Sequence, residues 1–414
     1  MSAKLTRLPR VMVACGGTGG HLFPGIAVGE VLAAHGCSVT LIVSSKEIDR
    51  RGASLAPQFE CLTLPAVGLE RGRGLEFVRC GWRSYLQAQS EFRARRPSAV
   101  LAMGGFTSVA PILAGLRAGS STFIHESNSI PGRASRWLAR WVDRVFVGFP
   151  QTAARLRRCG ITVTGTPVRA RFGAVVGRSC RIELGLEPDD PVLLVMGGSQ
   201  GASAINELVM AALPGLQQQV ARLQIVHLTG PKDHSRVERA YQLWRGKALV
   251  KDFAGEMEVL MGAATVAVTR AGASTLAELA ASGLPSVLVP YPRAADNHQY
   301  YNARALADTG AARMLEEPAT SPAALVSAVR SLIEAPEERR KMREALSRCH
   351  RSEAAEQIAS EIMARIGGEM LRKIERTESQ REAELDGSGA GGGMVAEESR
   401  PERMERELQE SRHG

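Results

Sequence analysis

The chain has 414 residues, 44% hydrophobic and 23% charged, with a formal net charge of +9. At roughly 150 residues per domain this predicts two or three domains whose cores need no disulfide or metal staple, which excludes collagenous, small secreted and wholly disordered classes. Residues 371–414 hold 8 Lys and Arg against 11 Asp and Glu, so the first 370 residues carry +12. A body of that sign suits nucleic acid, an anionic membrane surface or a phosphorylated substrate, and charge alone does not choose among them.

In chain order, short β-branched runs alternate with longer helical patterns, the rhythm of βαβ units around a parallel sheet. The expected strands are Val11–Ala14, Val39–Val43, Ala99–Ala102, Thr122–Ile124, Val145–Val147, Val192–Val195, Gln224–Leu228, Val266–Thr269 and Val287–Val289. The plan occurs twice. Val11 to Gly20 and Val192 to Gly201 are each an apolar strand running into a glycine loop and then a helix, which predicts two Rossmann-like halves with a seam near Thr164-Gly165-Thr166-Pro167. Beyond Gly367, Glu and Arg alternate and residues 387–393 are almost all Gly, Ser and Ala, the composition of a disordered charged tail.

Seven scattered cysteines (Cys15, Cys37, Cys61, Cys80, Cys159, Cys180, Cys349), none spaced C-x-x-C, read as free thiols in a reducing compartment and argue against structural zinc. No apolar run reaches the roughly 18 residues of a membrane span, and the stretch after Arg10 breaks at Gly16-Gly17, too soon for a signal sequence. The expectation is a cytoplasmic protein.

A glycine loop between strand and helix lets bare backbone approach a phosphate while the helix start offers unpaired N–H groups. The loops here are not Walker loops, because the Gly246-Lys247 pair is followed by Ala248, and they lack the G-x-G-x-x-G dinucleotide spacing. No D-x-D pair offers ligands for a diphosphate-bound metal, so no metal and no cofactor is expected. A third cluster, Met103-Gly104-Gly105-Phe106-Thr107-Ser108, and the strand end His125-Glu126-Ser127-Asn128 belong to the same carboxyl edge. His21, where the first loop enters its helix, is placed to act as a base or to bond a phosphate oxygen.

Gly16-Gly17-Thr18-Gly19-Gly20-His21, Gly104-Gly105-Phe106, His125-Glu126-Ser127-Asn128, Gly197-Gly198-Ser199-Gln200-Gly201-Ala202 and Arg270-Ala271-Gly272-Ala273-Ser274-Thr275-x-x-Glu278 stand in one order. Together they resemble the MurG family, the peptidoglycan N-acetylglucosaminyltransferases of glycosyltransferase family 28, over residues 10 to 365. The resemblance implies an α/β chain with the GT-B fold: two Rossmann-like, doubly wound parallel-sheet domains facing across a cleft. Residues 1–166 would be the acceptor- and membrane-binding domain, with a helix near 341–366 packing back on it. Residues 167–340 would bind UDP-GlcNAc, and 367–414 would be the tail.

The implied activity is inverting transfer of GlcNAc from UDP-GlcNAc to the C4 hydroxyl of MurNAc in lipid I, with His21 as base. Carried over residue by residue, Ser199 and Arg169 would contact the diphosphate. Ala273, Ser274, Thr275, Leu276 and Ala277 would cradle nucleotide and phosphate, Glu278 would accept the ribose hydroxyls, Gln299 would read GlcNAc, and Ala254 would lie near the uracil. Thr18, Gly19, Gly20 and Asn128 would line donor and acceptor sides, with Gly104, Gly105, His125 and Glu126 on the acceptor side.

Arg71, Arg73, Arg79 and Arg83 interleave with Leu75, Phe77, Val78 and Trp82, and Arg133, Arg136, Arg140 and Arg144 with Trp137, Leu138 and Trp141. Either segment suits an anionic membrane surface, and the resemblance favours the first, at the cytoplasmic face of the inner membrane. It also implies cell-wall synthesis and division proteins as partners, and no nucleic acid. Ser127 departs from the family's Gln, Thr166 from an Asn, and Phe106 from a Tyr. Another UDP-sugar enzyme of the same fold, such as a glycolipid transferase or a UDP-GlcNAc 2-epimerase, stays open, as does a basic nucleic-acid-binding protein, against which the 5% aromatic content speaks.

Overall fold

In the computed structural model, residues 8–65, 74–156, 160–173, 177–198 and 201–368 are described. Strands β1 (Arg10–Ala14), β2 (Ser38–Ser44), β3 (Glu60–Leu64), β4 (Ala99–Ala102), β5 (Ser121–Glu126), β6 (Arg144–Val147) and β7 (Ile161–Val163) form one sheet in the order β3-β2-β1-β4-β5-β6-β7. Strands β8 (Val192–Met196), β9 (Gln224–Leu228), β10 (Ala248–Lys251), β11 (Val266–Thr269), β12 (Ser286–Leu288) and β13 (Arg313–Met314) form a second in the order β10-β9-β8-β11-β12-β13. Every pairing is parallel. In each sheet the first strand of the lobe sits between the second and the fourth, so strand order reverses beside β1 and again beside β8, where ligands enter open α/β folds. Both strands run straight into a glycine loop.

The strands of the sheet centres are continuous apolar runs because both faces are covered. On β1, Val11, Val13 and Cys15 face one layer and Met12 and Ala14 the other. The first layer holds the Gly19–Ala34 helix and, from the far end of the chain, helix 354–368, which buries Ala355, Ile358, Ala359, Ile362 and Ile366. The second holds Ala88 and Phe92 of the Gly74–Ala94 helix, Ile112 and Ala114 of the Val109–Ala118 helix, and Leu138. In the other lobe β8 packs beneath Val209 and Leu216 of the Ser203–Gln219 helix and Val329 and Leu332 of the Pro322–Glu334 helix.

The structure differs from the sequence expectation at the C-terminal helix. Instead of one helix near 341–366 there are two, Pro336–Cys349 and 354–368, broken by an extended His350. Met342, Ala345 and Leu346 of the former join the second lobe's core, whereas the latter belongs to the first lobe's core. The expected tail lies, but for its first two residues, outside the described residues. Among the described residues no helix is long and apolar enough to cross a membrane.

Ile362 is fully buried against the first sheet although it is some 350 residues from β1 in the chain, a core contact that truncation would remove. Ile362→Ala is expected to cost about 2–5 kcal/mol by chemical denaturation; a cost within about 0.5 kcal/mol, the range of surface substitutions, would contradict this packing.

Candidate active site

A cleft of about 860 Å³ lies between the carboxyl edges of the two sheets. Among the helices that begin at it, three follow a glycine-containing loop. The Gly19–Ala34 helix starts at Thr18, the Ser203–Gln219 helix at Ala202 and the Ala273–Ser282 helix at Gly272. None of the three has a side-chain cap or an acidic residue in its first turn. Among the described residues their leading N–H groups thus meet no side-chain cap, although Asp233 bonds the Ser203 side chain at the second, and helix starts of this kind suit an anion.

Glycine is required at the loops by what surrounds them. Gly201 has φ +76°, and a Cβ there would lie 2.4 Å from the Thr229 carbonyl oxygen. Gly105 also has φ +76°, and a Cβ would stand 2.8 Å from His21 Cε1. The Gly104-Gly105 turn is thus the seat on which the His21 ring rests. Behind the first loop, the fully buried Asp49 carboxylate accepts from the Gly17 N–H at 2.6 Å and from the Ser44 N–H at 3.1 Å, tying the loop to the end of β2.

His21 is half-buried in the cleft wall, with Nδ1 3.2 Å from Thr18 Oγ1. Desolvation pushes its pKa below the usual histidine value, against the raising influence of Glu126 and Asp49, so the ring favours its neutral, proton-accepting form. Across the cleft, Glu278 is buried, and desolvation pushes its carboxyl up to about 7 despite the nearby Arg169 and a hydrogen bond from Ser274. Arg169, also buried, lies over Phe172 of its own lobe and Phe23 of the other, with Nη2 3.4 Å from Glu258 Oε2. Among the described residues its Nε has no hydrogen-bond partner. Arg270 bonds the Val289 carbonyl at 3.1 Å and pairs with Glu317.

Of the residues expected from sequence, Thr18, Gly19, Gly20, His21, Phe77, Gly105, Glu126 and Asn128 line the first lobe's side of the cleft, and Arg169, Ala254, Ala273, Ser274, Thr275, Glu278 and Gln299 the other. Ser199, Arg71 and Arg73 lie outside the described residues. Leu75 and Trp82 are on the outer surface, 90% and 61% exposed. Four others, Gly104 among them, do not line the cleft. Leu276 is packed in the second lobe's core, Ala277 does not reach the cleft, and His125 has no surface in it. His125 Nε2 donates to the Gly165 carbonyl at 2.9 Å and Nδ1 lies 3.3 Å from Ser127 Oγ, while burial lowers its pKa to about 4. It pins the end of β5 to the seam. Glu126 reaches the cleft, but its oxygens accept from Asn128 N, Asn128 Nδ2 and Gly132 N at 2.9–3.0 Å, so it shapes the 127–132 turn. Gly104 sits behind Gly105 as part of the His21 seat.

The sequence matches the Glycosyltransferase family 28 N-terminal domain over residues 11–147 and the Glycosyltransferase family 28 C-terminal domain over residues 192–362. The chain belongs to glycosyltransferase family 28. Among its relatives is a UDP-N-acetylglucosamine--N-acetylmuramyl-(pentapeptide) pyrophosphoryl-undecaprenol N-acetylglucosamine transferase of Acidithiobacillus ferrooxidans, 39% identical over 366 residues, covering 86% of this chain and 98% of the relative. One with the same name from Anaeromyxobacter dehalogenans is 36% identical over 363 residues, covering 86% and 92%. The crystal structure of Acinetobacter baumannii MurG superposes with a TM-score of 0.64 at 26% identity, covering 86% of this chain and 99% of that one. A putative UDP-N-acetylglucosamine 2-epimerase from Listeria monocytogenes shares the fold, with a TM-score of 0.65 at 14% identity over 87% of this chain and 97% of that one.

The family 28 lobes are tied by residues that sequence reasoning passed over. Asn302, fully buried, accepts from the Ser129 N–H at 2.9 Å and donates to Asn128 Oδ1 at 3.0 Å and to the Ala271 carbonyl at 3.2 Å. At the cleft mouth Arg136 bonds Asp296 at 2.7 Å, and Asp296 and Asn297 both hold positive φ, 51° and 52°. Asn302 stands in a run of polar residues, and its partners on the other lobe, Asn128 and Ser129, lie more than 170 residues away. Asn302→Asp sets an anionic oxygen against two acceptors, so it is expected to destabilise the chain by about 2–4 kcal/mol in thermal unfolding and to enlarge the radius of gyration in X-ray scattering. An unchanged radius and melting temperature would mean that this amide does not hold the lobes.

Proposed function

We propose that this glycosyltransferase moves GlcNAc from UDP-GlcNAc to the C4 hydroxyl of MurNAc in lipid I, giving lipid II with inversion at C1. The observation that carries the reading is a neutral imidazole and a buried carboxylate facing one another across a cleft ringed by open helix starts, in a chain whose relatives bear that activity in their names. UDP-GlcNAc binds on the second lobe. Its diphosphate lies at the Gly197-Gly198, Gly201 and Gly272–Thr275 segments, with the Arg169 guanidinium beside it; Ser199, which the family resemblance adds as a further donor, lies outside the described residues. Glu278 accepts from the ribose diol. Ala254 packs near the uracil. Gln299, whose Oε1 is held by the Tyr291 N–H at 3.0 Å, turns its NH2 to the sugar hydroxyls.

On the first lobe the acceptor's own diphosphate lies at the Gly104-Gly105 turn. His21 Nδ1–H donates to Thr18, which leaves the Nε2 lone pair to take the proton from the C4 hydroxyl as its oxygen bonds to C1. The C1–O bond to UDP breaks in the same step, and the helix starts and Arg169 carry the departing charge. Lobe closure through Asn302 excludes water, which would otherwise compete for the donor.

A lipid-linked acceptor brings the protein to a membrane. Leu75, Val78 and Trp82 are exposed on one helix with Arg79 and Arg83 beside them, and Trp137 and Trp141 are 44% and 59% exposed near Arg133, Arg136 and Arg140. This is the composition of a peripheral anchor to an anionic surface, here the cytoplasmic face of the inner membrane.

The test is incubation with labelled UDP-GlcNAc and a lipid I analogue: labelled disaccharide lipid is expected, and label that accumulates only as an epimerised or hydrolysed sugar would overturn the reading. In that assay His21→Asn should lower kcat by about 10²- to 10⁴-fold, the usual worth of a general base. The wild-type acid limb of kcat should lie below the ordinary histidine pKa, the direction burial sets for His21.

Donor binding should titrate separately. Glu278 must be ionised to accept from two hydroxyls, and its carboxyl is raised to about 7. The donor KM is therefore lowest above pH 7 and rises about tenfold by one unit below it, as protons compete with the diol. Glu278→Gln should raise the donor KM and flatten that dependence; a variant that keeps the wild-type slope would remove Glu278 from the donor site.

A further inference from the structure

The cleft contains more apolar wall than a sugar nucleotide uses. Uracil is a single flat ring, and Phe253, Ala254 and Met257 supply its slot on the second lobe. The first lobe nevertheless lines the cleft with Phe77, Phe106, Val109, Ile130, Pro131 and Trp137. Neither a diphosphate, an amino sugar nor a peptide stem gains from such a wall, whereas a hydrocarbon does.

The placement of these residues gives the wall a direction. Phe106 and Val109 follow directly on the Gly104-Gly105 turn. Trp137, in the last turn of the Arg133–Leu138 helix, lines the cleft and is 44% exposed. On the Gly74–Ala94 helix, at about 100° per residue, Leu75, Val78, Trp82 and Leu86 share one face with Arg79 and Arg83 on its flank. Phe77 lies about 100° from Val78, toward the buried side that carries Ser84, Ala88 and Phe92. One turn of this helix thus presents Phe77 to the cleft and its neighbours to the outer surface.

We infer that Phe106, Val109, Ile130, Phe77 and Trp137 form a track for the first isoprene units of the acceptor's polyprenyl chain, leading from the diphosphate at Gly105 out to the exposed helix face. The inference rests on the transferase reading above. The occupant is the acceptor's own chain because it is the one apolar part of either substrate long enough to run from the cleft to the surface. The arginines flanking the exit suit the anionic headgroups that this chain passes on its way into a bilayer. The track adds a determinant inside the cleft to the membrane anchor outside it: it selects an acceptor whose diphosphate ester begins with a prenyl unit.

The experiment uses full-length protein and acceptors with one sugar–peptide–diphosphate head, esterified with methyl, a short prenyl chain or a long polyprenyl chain in detergent. Wild type is expected to prefer the short prenyl over the methyl acceptor by about 10²-fold in kcat/KM, the order expected for burying the roughly four carbons by which one such unit exceeds a methyl group. Phe77→Ala and Trp137→Ala should bring that ratio toward one with the donor KM within about twofold of wild type, and Trp137→Phe should restore it. Trp82→Ala, out on the exposed face, should weaken sedimentation with anionic vesicles and leave the ratio at its wild-type value. A wild-type ratio near one, or a Trp82→Ala loss as large as that of Phe77→Ala, overturns the track while the transferase reading stands. If wild type transfers GlcNAc to none of the acceptors, the transferase reading fails and the track with it.

Discussion

The site depends on strand direction. Because every strand of both sheets is parallel to its neighbours, each lobe delivers its strand ends, loops and helix starts to one edge. Setting the two edges face to face gathers around one gap three helix starts that, among the described residues, carry no side-chain cap, a geometry attractive to a diphosphate. The same geometry explains why the loops are glycine. Backbone must come close to ligand on one side while carbonyls and rings press from the other, as Thr229 does against Gly201 and His21 against Gly105. An antiparallel strand at either centre would have delivered a helix C-terminus to the gap and reversed the sign of the field.

Legibility in the sequence follows burial. The strands around β1 and β8 are continuous apolar runs because they are covered twice, and they were read with ends shifted by a residue or two. The edge strands β3, β7, β10 and β13 were not seen. Glu60, Cys61 and Thr63 are exposed on β3, and β13 is two residues long, so neither carries a periodic signal. In the site, glycine loops and their attached helices were readable because a local spacing encodes them. His125 was misread because a histidine closing a buried turn and one facing a ligand have the same local sequence. Asn302 and the Arg169–Glu258 pair were invisible as partners for a different reason: they join segments 173 and 89 residues apart, and no local pattern records such a pairing.

Burial has opposite effects on the two titratable groups that face the gap. It lowers His21 and raises Glu278, in each case favouring the uncharged form of the empty cleft. The buried cations are matched too, Arg169 by Glu258 and Arg270 by Glu317. Among the described residues Arg169 keeps one donor, Nε–H, without a partner. A diphosphate entering such a cleft meets aligned dipoles and oriented guanidinium groups that need little reorganisation, which is the condition under which fixed charges act most strongly on a developing anion.

The proposed base and the proposed donor site are also mechanically connected. The Gly19–Ala34 helix, which carries His21 at its first turn, packs on the Ala273–Ser282 helix, which carries Glu278. Asn302 then ties the Asn128-Ser129 turn to the Ala271 carbonyl, two residues before that second helix begins. Alignment of an attacking hydroxyl with a leaving diphosphate is thereby a property of the lobe interface. Loop flexibility does not set it. Beyond this helix packing the interface holds one buried amide, cations over Phe23 and Tyr301 and surface ion pairs, polar contacts that can part and re-form more readily than the cores on either side. The fold thus concentrates its freedom of movement at the one joint where movement changes the distance between nucleophile and leaving group, and keeps everything that shapes either binding surface rigid.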